Sequence, residues 1–262
     1  MNAISKPIMT AIEGTAPLVM SALDLSRGKI GLIVVDEVHG FCTPGRGPLA
    51  PAAPNPQIER MIEETDLLAR RIGPKLVFRD SHTAEQDEKP YPPHCLVGTG
   101  DDMLVSRLEW LESDPDTLVM PKECINGVIG GIRPDGSNIV FDWAKSSGVD
   151  TLVLVGICTD ICVLTAAVSL LSARTRGFIG EVDRIVVHEP ACATYDLPLS
   201  TAMELGLPPS AAHPQDLFHQ MGLLIMQNQG AIITDRVLCW LYRSSRSALL
   251  SGIRSRPPIL RT

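Results

Sequence analysis

The stretch Thr151 to Thr165, TLVLVGICTDICVLT, constrains this chain more than any other. Its first five residues form an unbroken apolar run rich in β-branched side chains. Such a run reads as a strand buried on both faces, the kind found in parallel sheets covered by helices. Gly156 ends the strand. Thr159 and Asp160 offer side-chain oxygens suited to capping a helix, and Val163, Leu164, Ala167, Val168 and Leu171 recur behind them at helical spacing. The reading is strand, tight turn, helix, with Cys162 in the first helical turn, where the positive end of the macrodipole favours a thiolate. A nucleophile would sit there. The alternative is that Cys158 and Cys162 are simply small buried apolar residues, as free cysteines often are.

The same pattern recurs upstream. Ile30–Asp36, IGLIVVD, is a second buried-strand run ending in an acid, and Gly40, Pro44, Gly45, Gly47, Pro48 and Pro51 force a loop after it. Residues 55–72 carry Ile58, Met61, Ile62, Thr65, Leu68, Ala69 and Ile72 at helical spacing, and Lys75–Phe78 make a third strand running into Asp80. Strand, helix, strand implies a parallel pair with a right-handed crossover. From Ser81 to Thr99 the chain has no periodicity and carries Pro90, Pro92 and Pro93; loops that long inside compact domains are usually functional. A helix is expected over 101–112, a strand over Thr117–Met120 leading to Lys122, a glycine-rich loop, and a helix near 137–147. Beyond the central unit come a strand over Asp183–His188 and helices after Asp196 and Pro214. Alternating strands and helices indicate one doubly wound α/β domain, a three-layer sandwich with a mostly parallel central sheet, over residues 29–240. Residues 1–28 read as an extended or loosely docked N-terminal arm, and 241–262 as a basic C-terminal tail. Arg236, Arg243, Arg246, Arg254, Arg256 and Arg261 follow the last acid, and a solvated, frayed end is favoured over a site for an acidic partner.

A formal charge of −7 argues against nucleic acid or an acidic membrane as partner, leaving a small molecule. No run reaches the ~18 apolar residues of a membrane span. Residues 1–25 do not read as a secretory signal. Seven cysteines without dense spacing suggest a reducing compartment, with the cytoplasm as the default.

In an open α/β sheet, ligands bind beyond the carboxyl ends of the strands. Asp36, Asp80, Lys122 and Cys162 all stand at or just past such ends. An acid, a lysine and a helix-start cysteine are the parts of a thiol acyl-transfer site: Asp36 takes the thiol proton and passes it to a leaving group, while Lys122 balances the negative charge. Asp80 and His82, alternate residues of an extended segment, project to one side, where His94 returns on the loop to complete a cation site. Oxygen and imidazole donors suit Zn²⁺, or else Fe²⁺ or Mn²⁺, with Asp87 and Glu88 as candidates for a fourth ligand.

The segments GFCTPGRGPLAP, RDSHTAEQ, KPYPPHCLVGT, KECINGVIGG, DGSNIVFDW, VGICTDICV, ACATYDLPLS and AHPQDLFHQMGL resemble, in order from about Gly31 to Gly230, the plant-type nicotinamidases of the isochorismatase-like cysteine hydrolase family. The resemblance implies a catalytic triad at Asp36, Lys122 and Cys162 and a metal set at Asp80, His82 and His94. It also implies a cis peptide between Ile157 and Cys158, an oxyanion hole of the backbone N–H groups of Cys158 and Cys162, and a substrate pocket formed by Phe41, Tyr91 and Ile157. The implied activity is conversion of nicotinamide and water to nicotinate and ammonia, feeding NAD salvage, in a protein that could be a homo-oligomer. The chain departs from the plant pattern at Thr83-Ala84-Glu85, in place of His-Pro-Asp, and at His39, in place of Asn, both on the pocket rim. Two other readings stand beside this one. A sister enzyme would cleave another small amide or ureido bond, and a non-catalytic module would use its thiols and metal for redox or structure.

Overall fold

A computed structural model describes residues 5–238 apart from Asp87. Seven strands, β1 (Met20–Asp24), β2 (Ile30–Val35), β3 (Lys75–Asp80), β4 (Thr117–Lys122), β5 (Thr151–Ile157), β6 (Arg184–Ala193) and β7 (Ile232–Leu238), form one sheet in the order β1-β7-β6-β5-β2-β3-β4, each neighbouring pair parallel. The helices are α1 (Ser5–Thr15), α2 (His39–Cys42), α3 (Pro56–Ala69), α4 (Gly127–Gly130), α5 (Ile139–Ser147), α6 (Leu164–Thr175), α7 (Leu199–Glu204) and α8 (Gln215–Asn228).

The two faces of the sheet are packed by alternate residues of the same strands. Ile33, Val35, Leu152 and Leu154 join one core with Trp143 of α5, Ala166, Ala167 and Leu170 of α6, and Leu223 and Met226 of α8. Leu32, Val34, Val153 and Val155 join the other with Ile58, Met61 and Leu68 of α3. That period of two, with both faces apolar, is why β2 and β5 read as continuous hydrophobic runs. Helix starts are sharp where the sequence supplies a cap: the Asn55 side chain accepts from the N–H groups of Gln57 and Ile58, and Asn138 from those of Val140 and Phe141.

Chain order reverses between β2 and β5. From β2 the chain steps outward to β3 and β4, then returns to lay β5 on β2's other flank and steps away through β6 and β7. The crevice beyond the carboxyl ends of β2 and β5 is therefore the topological switch point where ligands bind in such sheets. Gly156 permits the close approach there. Its φ is +120°, and a Cβ on it would lie 2.1 Å from the Val35 carbonyl oxygen, so only glycine fits.

Two expectations are corrected. The N-terminal segment is not a loose arm, because β1 pairs with β7 and completes the sheet edge, and α1 lies against α8. Residues 101–112 are not an α-helix. Leu104, Val105, Leu108 and Leu111 are buried as the spacing requires, but the backbone is bonded instead to the loop after β2, His39 N–H to Met103 O at 2.9 Å and Val105 N–H to Glu37 O at 3.0 Å. Only Glu109–Glu112 keeps a 3₁₀ turn. The strand Ile232–Leu238 had no sequence signal. The basic tail, 241–262, lies outside the described residues.

Candidate active site

Asp36 follows β2 in a left-handed conformation, φ 54°, a position rare for a residue with a side chain. Its N–H is held by Phe78 O at 3.0 Å, and Val38 N–H closes back on its carbonyl at 2.7 Å. The buried carboxylate lies close enough to Cys162 for the thiol to lower its proton affinity, while neither of its oxygens has a hydrogen-bond partner. Lys122, at the end of β4, places its buried ammonium 3.0 Å from Asp36 Oδ2, donates to Asp80 Oδ1 at 2.7 Å and donates to the Cys124 carbonyl at 2.9 Å. One cation thus ties two buried carboxylates on neighbouring strand ends. The structure brings Asp36, Lys122 and Cys162 together, as the strand ends required.

Burial sets the proton affinities. Desolvation raises Asp36 to about 7 against the opposing pull of Lys122, the range a general base needs near neutrality. Burial would lower Lys122, but the charges of Asp36, Cys162 and Asp80 outweigh it and keep the ammonium well above its ordinary value. Cys162 corrects the helix-start expectation. Burial pushes its thiol well above the ordinary range despite the opposing charge of Lys122, against the lowering that a helix start alone would give.

Cys162 also enters its helix differently from the expectation. Thr159–Val163 winds as one wide π turn before α6, and neither Thr159 nor Asp160 caps it. The peptide between Ile157 and Cys158 is cis. The Cys158 carbonyl accepts from both Ile161 and Val163 N–H, each at 3.1 Å, which folds the turn tightly around the thiol.

The second set stands beside the first. The loop after β3 is strapped back on itself, His82 N–H to Cys95 O and Val97 N–H to His82 O, both 3.0 Å, which returns His94 to the side of His82. Single donor atoms of Asp80, His82 and His94 lie within 4.8 Å of one another, and all three residues are buried. His82 Nε2 and His94 Nε2 approach Asp80 Oδ2 to 3.1 and 3.2 Å. Yet Asp80 Oδ2 and His82 Nε2 have no hydrogen-bond partner. His94 Nδ1 donates to Pro92 O at 2.8 Å, which leaves its Nε2 lone pair for the shared point. Lone pairs converging without hydrogen bonds are a donor set that fits a divalent cation. Glu88 Oε2 stands 3.5 Å from His94 Nε2 and 3.8 Å from His82 Nε2, so of the two candidate fourth ligands Glu88 is at hand; Asp87 lies outside the described residues. Burial would raise Asp80, but the close approach of the His82 and His94 rings and the charge of Lys122 hold it far below the usual carboxylate range.

Aromatic rings stand beside the cation set. Phe41 and Tyr91 lie 5.5 and 6.2 Å from His94, ring centre to ring centre, and Ile157 is buried at the end of β5. Tyr195, which sequence reasoning passed over, joins them past the end of β6: burial and the nearby Cys158 and Tyr91 raise its hydroxyl well above the ordinary value. Its signal was its place beyond a strand's carboxyl end.

A model of the isochorismatase domain matches residues 31–236. The chain belongs to the isochorismatase family. Within the isochorismatase family it is 44% identical over 230 residues to Nicotinamidase 1 of Arabidopsis thaliana, covering 86% of this chain and 92% of that one. Among solved structures it resembles PnC1 of L. infantum in complex with nicotinate, with TM-score 0.58 and 17% identity over 83% of this chain and 96% of that one. It also resembles a pyrazinamidase of Pyrococcus horikoshii in complex with zinc, with TM-score 0.55 and 19% identity over 79% and 99%. These structural likenesses reflect the shared three-layer α/β fold.

Proposed function

We propose that this protein hydrolyses nicotinamide to nicotinate and ammonia through a thioester on Cys162. The observation that carries the reading is Lys122, whose ammonium joins Asp36, the base beside the thiol, to Asp80, the centre of the cation site. One ligand lying across that bridge meets both sets. The 44% identity to Nicotinamidase 1 over most of both chains supports the choice of amide.

In the proposed reaction Asp36 takes the Sγ proton and the sulfur attacks the amide carbon. The C–S bond forms, and the carbonyl π electrons move to oxygen, where the N–H groups of Cys158 and Cys162 receive the charge. Asp36 then protonates the departing nitrogen, the C–N bond breaks and ammonia leaves. Water gives a proton to Asp36 and attacks the thioester, the C–S bond breaks, and the sulfur recovers its proton. A divalent ion held by Asp80, His82 and His94, with zinc the ion proposed, would supply a coordination point for a ring nitrogen. Phe41 and Tyr91 would hold the ring between them. Such positioning contributes a share of the ~7–11 kcal/mol available from proximity.

Turnover of nicotinamide against benzamide, which has the same shape without the ring nitrogen, tests the reading. Nicotinamide is expected to be hydrolysed at least about 100-fold more efficiently, a ratio in the range of losing one specific polar contact, and Cys162→Ala to abolish turnover of both. Equal use of the two amides sinks the substrate; an active Cys162→Ala sinks the thioester. The six cysteines among the described residues are all unpaired, and among those residues no helix is long and apolar enough to cross a membrane. A reducing, cytoplasmic setting is proposed on the cysteines.

A further inference from the structure

Thr159 and Asp160 occupy the turn between Cys158 and Cys162, and both side chains point away from the nucleophile into a buried polar cluster. Asp160 Oδ1 accepts from Thr194 Oγ1 at 2.6 Å, and Oδ2 lies 2.8 Å from His213 Nε2. His213 donates through Nδ1 to the Tyr195 carbonyl at 2.9 Å. Its ring is sandwiched between Tyr195 and Phe218, with centroids 3.8 and 4.0 Å away and planes tilted by 14° and 23°. Thr159 Oγ1 lies 2.8 Å from His219 Nδ1, and the far nitrogen of that ring faces Glu189 at 3.4 Å, itself paired with Arg60 at 2.6 Å. Both histidines are buried. Gly222 completes the seat: a Cβ there would come within 2.8 Å of the Asp160 Cα, so α8 lies directly against the turn backbone. The hydrogen bonds of this cluster link the turn to Thr194, Tyr195, Glu189 and the two histidines. The segment AHPQDLFHQMGL, which carries His213, Phe218, His219 and Gly222, has no part in the chemistry described above.

We propose that His213 and His219 are positioning residues that clasp Asp160 and Thr159 and thereby hold the N–H groups of Cys158 and Cys162 aimed at one point. The inference rests on the proposed thiol reaction, in which those two donors receive the developing oxyanion. Two adjacent side chains, pinned by two separate rings, leave the turn no freedom to rotate about its own axis. Polar side chains were needed to do this because the π turn has no side-chain cap of its own. A clasp of this kind acts on donors whose worth appears only as the oxygen takes up charge. Its loss therefore weakens kcat and the capture of a tetrahedral adduct, and leaves ground-state binding and the thiol's own reactivity in place.

The experiment uses the full chain and three variants: His213→Phe, which keeps the aromatic sandwich and removes the polar link, Asp160→Ala, and Asp160→Asn, which offers the same two contacts. The probes are nicotinamide, pyridine-3-carbaldehyde and iodoacetamide. The aldehyde adds the Cys162 sulfur to its carbonyl carbon, forming C–S, breaking the C–O π bond and moving the thiol proton to oxygen, so it reports the donors without any amide turnover. For His213→Phe and Asp160→Ala, kcat and aldehyde affinity should each fall about 10- to 100-fold while KM changes by less than about threefold. Asp160→Asn should retain most of both, and alkylation of Cys162 by iodoacetamide should stay within about twofold throughout. Unchanged aldehyde affinity in His213→Phe, or an equal fall in aldehyde affinity and alkylation, overturns the clasp. Should His213→Phe fail to fold, Thr159→Val, which removes one hydroxyl, carries the same expectation and the same refutation. A wild-type protein that captures the aldehyde but leaves nicotinamide intact refutes the substrate alone. One that captures no aldehyde refutes both readings.

Discussion

Glu37 shows how one side chain can trade stability for placement. It follows the strained Asp36, is fully buried, and accepts from Thr65 Oγ1 at 2.6 Å, while its Oε2 has no partner. Burial raises its proton affinity well above the ordinary 4.5, with only the Thr65 bond opposing. The folded chain therefore keeps the Glu37 proton at pH values where the unfolded chain has released it. Its contribution is fully present below about pH 4.5 and is lost as pH rises above that value toward the folded one. Glu37→Gln mimics the protonated acid and removes the titration. Urea unfolding should show the variant more stable than wild type at pH 8 by roughly 1 kcal/mol or more, with the gap closing near pH 4.5. A gap that is independent of pH would show that Glu37 is charged in the fold.

At the scale of elements, the strands that carry the site were readable and the edges were not. β2, β3 and β5 announce themselves because both faces are buried, and Asp36, Asp80 and Cys162 follow from where those runs stop. β1 and β7 are half exposed, with no run or alternation strong enough to separate them from loop. The clasp was unreadable for another reason: Asp160 and His213 are 53 residues apart, Thr159 and His219 are 60 apart, and polar pairs leave no periodic trace. The segment 101–112 had the right spacing for a helix, but hydrogen bonds to the Asp36 loop took its backbone, and tertiary pairing overrides propensity. Gly156 is the element-scale position with least latitude. Gly156→Ala should cost roughly 3 kcal/mol or more, because the methyl meets the Val35 carbonyl and the φ is wrong for any other residue. Chemical denaturation of the soluble variant measures this, and a loss under about 1 kcal/mol would mean β2 and β5 can part without harm.

For the whole molecule, the first strand is part of the structure rather than an appendage. Leu23 is buried, and β1 covers β7 along five residue pairs. Removing residues 1–24 exposes that edge. The truncated chain should melt about 5 °C or more below the full one by calorimetry and should self-associate on gel filtration, since open strand edges recruit partners. An unchanged melting temperature and a clean monomer would return β1 to the status of an arm. The strand order bears on something else, the order in which the chain is made. β2 finds β3, and β3 finds β4, as soon as Lys122 has been synthesised, but the second flank of β2 belongs to Thr151–Ile157. At ~5–20 residues per second, the apolar run Ile30–Val35 waits a few seconds on the ribosome with one side unpaired. The nascent chain has its base and its lysine before it has its thiol, and the same insertion of β5 that covers the exposed edge delivers the nucleophile.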